Sequence, residues 1–122
     1  MRNNINETLD KIMAIEGALA VSLVDASSGF MLGSRGESVD IELASASVAE
    51  LLNFIENAKK KAAVLNKPLT DVVISYAEAH CVLVPVAHVP GAVFLFFARR
   101  DKIAMALARR QLRDCAENLQ LD

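Results

Sequence analysis

His80, Cys81, His88 and Cys115 are the soft metal ligands of this 122-residue sequence. Zinc needs three or four such groups at close spacing, commonly as CxxC or as two histidines one helical turn apart. Neither CxxC nor HxxxH occurs. His80 and Cys81 are adjacent, so in a strand they point to opposite faces and do not readily share an ion. The sequence has no G-x-S-x-G nucleophile turn, no Walker A loop and no G-x-G-x-x-G fingerprint. Its 5 glycines leave little material for a phosphate loop. Asp and Glu residues are spread along helical segments without a convergent pair. These observations predict no catalytic residues, no cofactor site and no metal site, and a protein that is not an enzyme.

Three further groups could bind anions. Ser27-Ser28-Gly29 could form a nest of backbone N–H groups, but no lysine or helix start follows it, so a plain turn is expected. Lys59, Lys60 and Lys61 stand at the end of a helical segment, where cations complement the negative end of the helix dipole. Arg99, Arg100, Lys102, Arg109, Arg110 and Arg113 form the one basic concentration, opposed in that stretch by Asp101 alone. A solvated helix face is the favoured reading of it, over an acidic partner or phosphate. Arg35 is the most loop-like arginine and is given no role.

Composition narrows the class. The length suits one domain spanning 1–122, hiding roughly 65% of the surface of the unfolded chain. Hydrophobic residues make up 53% and aromatic residues 5%, so the core must be aliphatic and little surface remains for stacking on bases. Net charge is -2, which does not suit a polyanion ligand. No apolar run reaches the length of about 18 residues that a membrane span needs. MRNNINETLDK lacks the apolar centre of a signal peptide. A cytoplasmic protein with buried, reduced thiols at Cys81 and Cys115 is therefore expected.

The hydrophobic periods then order the elements. A helix is expected over 5–15, capped by Asn4 with Glu7 in a capping-box position and closed by Gly17. Strands follow at 18–25 and 30–32, joined by the turn Asp25–Gly29. One long helix is expected over Val39–Leu65, capped by Ser38 or Asp40. Pro68 ends that region. Three strands follow at 71–76, 80–87 and 92–98, with irregularity at Pro85, which lacks a ladder donor. The last two are apolar on both faces, so layers must cover both sides of the sheet. A final helix is expected over 102–119, with Asp101 as its cap. The order α-β-β-α-β-β-β-α predicts an α/β (α+β) fold with a five-stranded, mostly antiparallel sheet.

The long helix carries more apolar surface than its own sheet requires. Ile41, Ala44, Ser45, Val48, Leu51, Leu52, Ile55, Ala58 and Ala62 make the main stripe, and Leu43, Ser47 and Phe54 widen it. The arc spans on the order of 200°, against the 100° or so of a surface helix. Ala44, Ser45, Ala46, Ser47 and Ala49 are small enough for close helix approach. One side would cover the sheet and the other would meet a partner.

Three segments resemble the roadblock/LC7 family, whose fold is profilin-like. They are LDKIMAIEGALAVSLVDASSG, DVVISYAEAHCVLVPVAHVPGAVFLFFAR with its Val84-Pro85-Val86 step, and IAMALARRQLRDCAENL. The likeness covers nearly the whole chain, in pattern and without a catalytic signature. It implies a dimer in which the long helices pack together and the strand after them pairs with its mate. Leu43, Ala46, Ser47, Glu50, Leu51 and Phe54 on the helix, with Val73 and Ser75 on the strand, would form that interface. The mate would be a second copy or a paralogous roadblock chain. The resemblance also implies a regulator or scaffold that binds a Ras-like small GTPase and modulates its nucleotide cycle. No device based on a tail beyond the last helix is expected. A small-ligand sensor domain and a structural subunit of a larger signalling or motor complex are the alternatives.

Overall fold

Alternating apolar side chains build five strands: β1 (Ala18–Asp25), β2 (Phe30–Arg35), β3 (Val72–Ser75), β4 (Ala79–Pro85) and β5 (Ala92–Arg99). The computed structural model describes residues 3–37 and 39–121. In it the strands form one sheet in the order β2-β1-β5-β4-β3, antiparallel at every pairing. Helices α1 (Ile5–Met13), α2 (Ile41–Ala46), α3 (Val48–Lys59) and α4 (Met105–Glu117) cover it, and a 3₁₀ turn spans Ala63–Leu65. This is the expected α+β architecture, and β4 stops at Pro85, where the ladder donor is missing.

The sheet has two unequal sides. Val21, Leu23, Val82, Val84, Phe94 and Phe96 join Leu9 and Ile12 of α1 and Leu112 of α4 in one core. Each side chain fully buried there contributes about 1.5–3 kcal/mol. The opposite faces of the same strands present Ala20, Val24, Cys81, Leu83, Val93 and Leu95 to α2 and α3. Phe94 and Phe96, the two largest fully buried side chains, lie on the first side. The second side has a smaller core.

The single helix expected over Val39–Leu65 is broken. It divides at Ser47, whose N–H bonds the carbonyl of Ala44, three residues back, at 3.1 Å. A bending contact lies two residues earlier. The hydroxyl of Ser45 donates to the carbonyl of Ile41 at 2.6 Å and also meets Ser22 Oγ of β1 at 2.8 Å. Hydroxyls bonded back to the preceding turn bend helices. Asp40 caps α2 by accepting from the Leu43 N–H at 3.1 Å, whereas Ser38 lies outside the described residues.

Other ends differ from expectation because polar groups find other partners. The α1 helix stops at Met13, and the capping box does not form, because the Asn4 side chain is used elsewhere. Its Nδ2 donates to the Asn118 carbonyl at 2.9 Å and its Oδ1 accepts from the Gln120 N–H at 2.7 Å, tying the two ends of the described chain together. Asp101 does not cap α4, which begins at Met105; it pairs with Arg99 at 2.9 Å. Arg35 is not in a loop. It ends β2, reaching Asp10 at 3.0 Å and Asn6 at 3.1 Å, and so fastens α1 to the sheet.

Candidate interaction surface

The α2 helix is fastened tightly. Ser22 and Ser45 are fully buried. The one proton of Ser45 goes to the Ile41 carbonyl, so the Ser22 hydroxyl is the donor between them. The turn at Gly29 approaches so closely that an added Cβ would sit 3.3 Å from the Cα of Ala46. The α3 helix is held far less. Val48 is 2% exposed, but Leu51, Leu52 and Ile55 are only half buried. Leu43 and Phe54 are 68% and 73% exposed.

These two large side chains fall in one row. Leu43, Ser47, Glu50 and Phe54 follow at i, i+4, i+7 and i+11, within about 60° of one another around the helix. Ser47 keeps right-handed helical geometry, so the break does not scatter the row. Its ends stand about 16 Å apart along the axis. Ala46 and Leu51 flank it on either side.

Beside this row runs a free sheet edge. Among the described residues β3 pairs with β4 alone. Both ends of β3 are fastened. Just before it, Asp71 receives a two-pronged bond from Arg109 of α4, at 3.0 and 3.2 Å. At its last residue, Ser75 Oγ meets His80 Nδ1 at 2.9 Å. The strand itself contains neither lysine nor proline, the usual protections of an exposed edge. Arg109→Gln is expected to lower stability by about 1–2 kcal/mol, because the Asp71 side chain, 9% exposed, loses its charged partner while Arg109 itself is partly solvated. Urea unfolding checks this, and amide exchange across Val72–Ser75 should quicken with it.

The eight residues expected at an interface thus lie on two adjoining features. Ala46, Ser47, Leu43, Glu50 and Phe54 are exposed along the helices, and Leu51 is half buried beside them. Ser47 and Leu51 share one cleft with Ile74 and Tyr76 at the β3 edge. Val73 and Ser75 are exposed at that edge, but on the opposite face of the sheet from the helical row. Tyr76, exposed beyond the end of β3, completes the apolar border and was absent from the expected set. The alternation Val72, Ile74, Tyr76 marked one face of the strand; which face met the helix was not in the alternation.

Among the described residues no group of three or more His, Cys, Asp or Glu could hold a metal ion. Cys81 and Cys115 are free thiols. Burial pushes Cys81 up to about 11 and also raises Cys115, so both stay protonated and poorly nucleophilic near neutrality. Asp25 fills its own turn: its carboxylate accepts from the Ser27 hydroxyl at 2.7 Å and the Ser27 N–H at 3.0 Å, which holds its pKa down and leaves the turn no room for a foreign anion. Arg99 and Arg109 of the basic stretch are already paired with Asp101 and Asp71, and Arg100 donates to the Tyr76 carbonyl at 3.2 Å. No described helix is long and apolar enough to cross a membrane.

No protein-family model matches the sequence, and no curated protein matches it significantly. The fold matches solved structures. It is similar to a roadblock/LC7 domain from Streptomyces avermitilis, at 11% identity over 92% of this chain and 91% of that one, with a TM-score of 0.78. It is similar to Myxococcus xanthus MglB at 16% identity, over 93% and 89% of the two chains, again with a TM-score of 0.78. A structure of MglB with a tetrameric arrangement aligns at 13% identity over 91% and 81%, with a TM-score of 0.72. With its sheet order, its helices on both faces and its free β3 edge, the chain has the roadblock/LC7 fold.

Proposed function

We propose that this chain is a non-enzymatic, self-associating regulator or scaffold for a Ras-like small GTPase. The observation that carries the proposal is the row from Leu43 to Phe54 running beside an unpaired, fastened β3 edge. Apolar side chains this exposed on a helix, next to open backbone donors and acceptors, call for a covering surface. A second copy covers both at once. A two-fold axis sets row against row and β3 against β3, extending the sheet across the pair. A stable pair of this kind buries roughly 1,200–2,000 Å² in total. The resemblance read from the sequence points the same way, and a similar structure, that of MglB, takes a tetrameric arrangement.

The GTPase part of the proposal rests on the roadblock/LC7 resemblance and fold. The chain would act by holding one conformation of the switch segments, so binding must differ between nucleotide states. Purified Ras-like GTPases loaded with GDP or a non-hydrolysable GTP analogue, titrated by calorimetry, supply the test. Nucleotide-dependent affinity together with an altered hydrolysis or exchange rate is the expected result. Absence of binding in both states across the GTPases of the same cell would refute it.

A further inference from the structure

The helical row reads the same way from either end. Leu43, Ser47, Glu50 and Phe54 stand at intervals of four, three and four residues. The outer two are apolar and the inner two polar. Among the described residues the Ser47 hydroxyl makes no cap hydrogen bond and Glu50 makes no ion pair. A carboxylate in the middle of an apolar seam needs a donor.

The free β3 edge fixes the direction in which a second copy can lie. If the two β3 strands ran parallel, the two-fold axis would lie along them. It would set the helices of the two copies on opposite faces of the joined sheet, and the rows would not meet. With antiparallel strands the axis passes through the sheet. Both rows then keep to one face, and one helix is reversed against the other. Charge agrees. Glu37, Asp40 and Glu42 stand before and in the first turn of α2, and Lys59, Lys60 and Lys61 stand at the end of α3. Antiparallel copies bring each acidic end towards a basic one, whereas parallel copies set like charge against like.

We infer that the mate is an identical chain, held antiparallel with the two-fold axis crossing the helices between Val48 and Ala49, so that each Ser47 hydroxyl donates to the Glu50 carboxylate of the other copy and each Leu43 packs on the other Phe54. This rests on the self-association proposed above and names its partner and register. Reversal about that point lays the row on itself, apolar on apolar and donor on acceptor. Sliding the second copy by one turn in one direction sets Glu50 on Leu43. Sliding it by one turn in the other sets Phe54 on Ser47. Either shift leaves the carboxylate without the serine and exposes an apolar side chain to a polar one. The same pairing selects against other mates: a paralogous chain without a serine at that place leaves Glu50 unpaired in the seam.

Disulfide trapping reads the register. Full-length Leu43→Cys and Phe54→Cys chains, each alone and mixed in equal amounts at about 100 μM, are oxidised, and the bridges are mapped by mass spectrometry, which sets them apart from Cys81 and Cys115. The mixture should form the 43–54 bridge at least about tenfold faster than either chain bridges to itself. Like positions stand roughly 16 Å apart along the axis in this register, beyond the reach of a disulfide. Self-bridging at an equal rate, or no 43–54 bridge while the unaltered chain has a dimeric mass, overturns the inference and leaves self-association standing. A monomeric mass of the unaltered chain overturns both. Sedimentation equilibrium on Ser47→Ala, Glu50→Ala and the double variant reads the polar pair. Ser47→Ala should weaken association at least about tenfold with Glu50 in place, and by little in the Glu50→Ala background. Equal losses in the two backgrounds overturn the Ser47–Glu50 bond.

Discussion

Gly36→Ala should cost at least about 3 kcal/mol, a large part of the 5–15 kcal/mol that holds a domain of this size together. Gly36 follows the last residue of β2 with φ +93, a region that side chains rarely enter. That conformation alone costs an alanine about 1–2 kcal/mol. The larger part is steric. An added Cβ would collide with the carbonyl oxygen of Leu19 and would stand 2.7 Å from the Cα of Ala20. Both belong to the backbone of β1, which pairs on both sides and has no slack. Gly29→Ala meets its neighbour only at 3.3 Å, so its loss should be smaller. Urea unfolding of both variants against the unaltered chain measures the difference. A midpoint for Gly36→Ala equal to that of the unaltered chain would mean that β1 and the start of the α2 approach do not pack as described.

Phe54→Glu should have the opposite profile: little effect on folding and a large effect on association. Phe54 is 73% exposed in the single chain, so its replacement removes few contacts within the fold. Substitutions at such positions change stability by about 0.5 kcal/mol or less. At a two-fold seam the same change enters twice and places two carboxylates in a region losing water. Central aromatic residues of interfaces contribute about 2 kcal/mol or more apiece, so the two copies together weaken association by about 4 kcal/mol, roughly a thousandfold. Sedimentation equilibrium gives the dissociation constant, and urea unfolding of the monomer checks that the fold is kept. Equal affinity with the variant would move the seam away from Phe54 and onto the strand edge or another surface.

What the sequence disclosed follows the range of the interactions involved. The strands were legible because alternation is a local signal, and the two-faced runs Val82–Val86 and Val93–Phe97 required layers on both sides. The excess apolar width of the long helix was legible too, since Leu43 and Phe54 recur at helical spacing. The break at Ser47 was not. The Ser45 hydroxyl that bonds back to Ile41 is buried against Ser22, 23 residues away in sequence, and that setting is not written near Ser47. Asn4 looked like a cap because its neighbours fit that motif, but its partners lie 114 and 116 residues away. Arg109 read as a solvated cation until the fold brought Asp71 beside it, 38 residues distant in sequence. Which strand forms the edge beside the helix likewise depends on strand order, which came from the family resemblance and not from periodicity. Tyr76 was missed at the border for that reason.

Self-association through the helical row and the β3 edge is the central claim, and the solution mass tests it most directly. Size exclusion with light scattering at low micromolar concentration should give twice the 13.2 kDa of one chain. A mass of 13.2 kDa that persists up to about 100 μM, where even a weak specific pair would form, would contradict the claim.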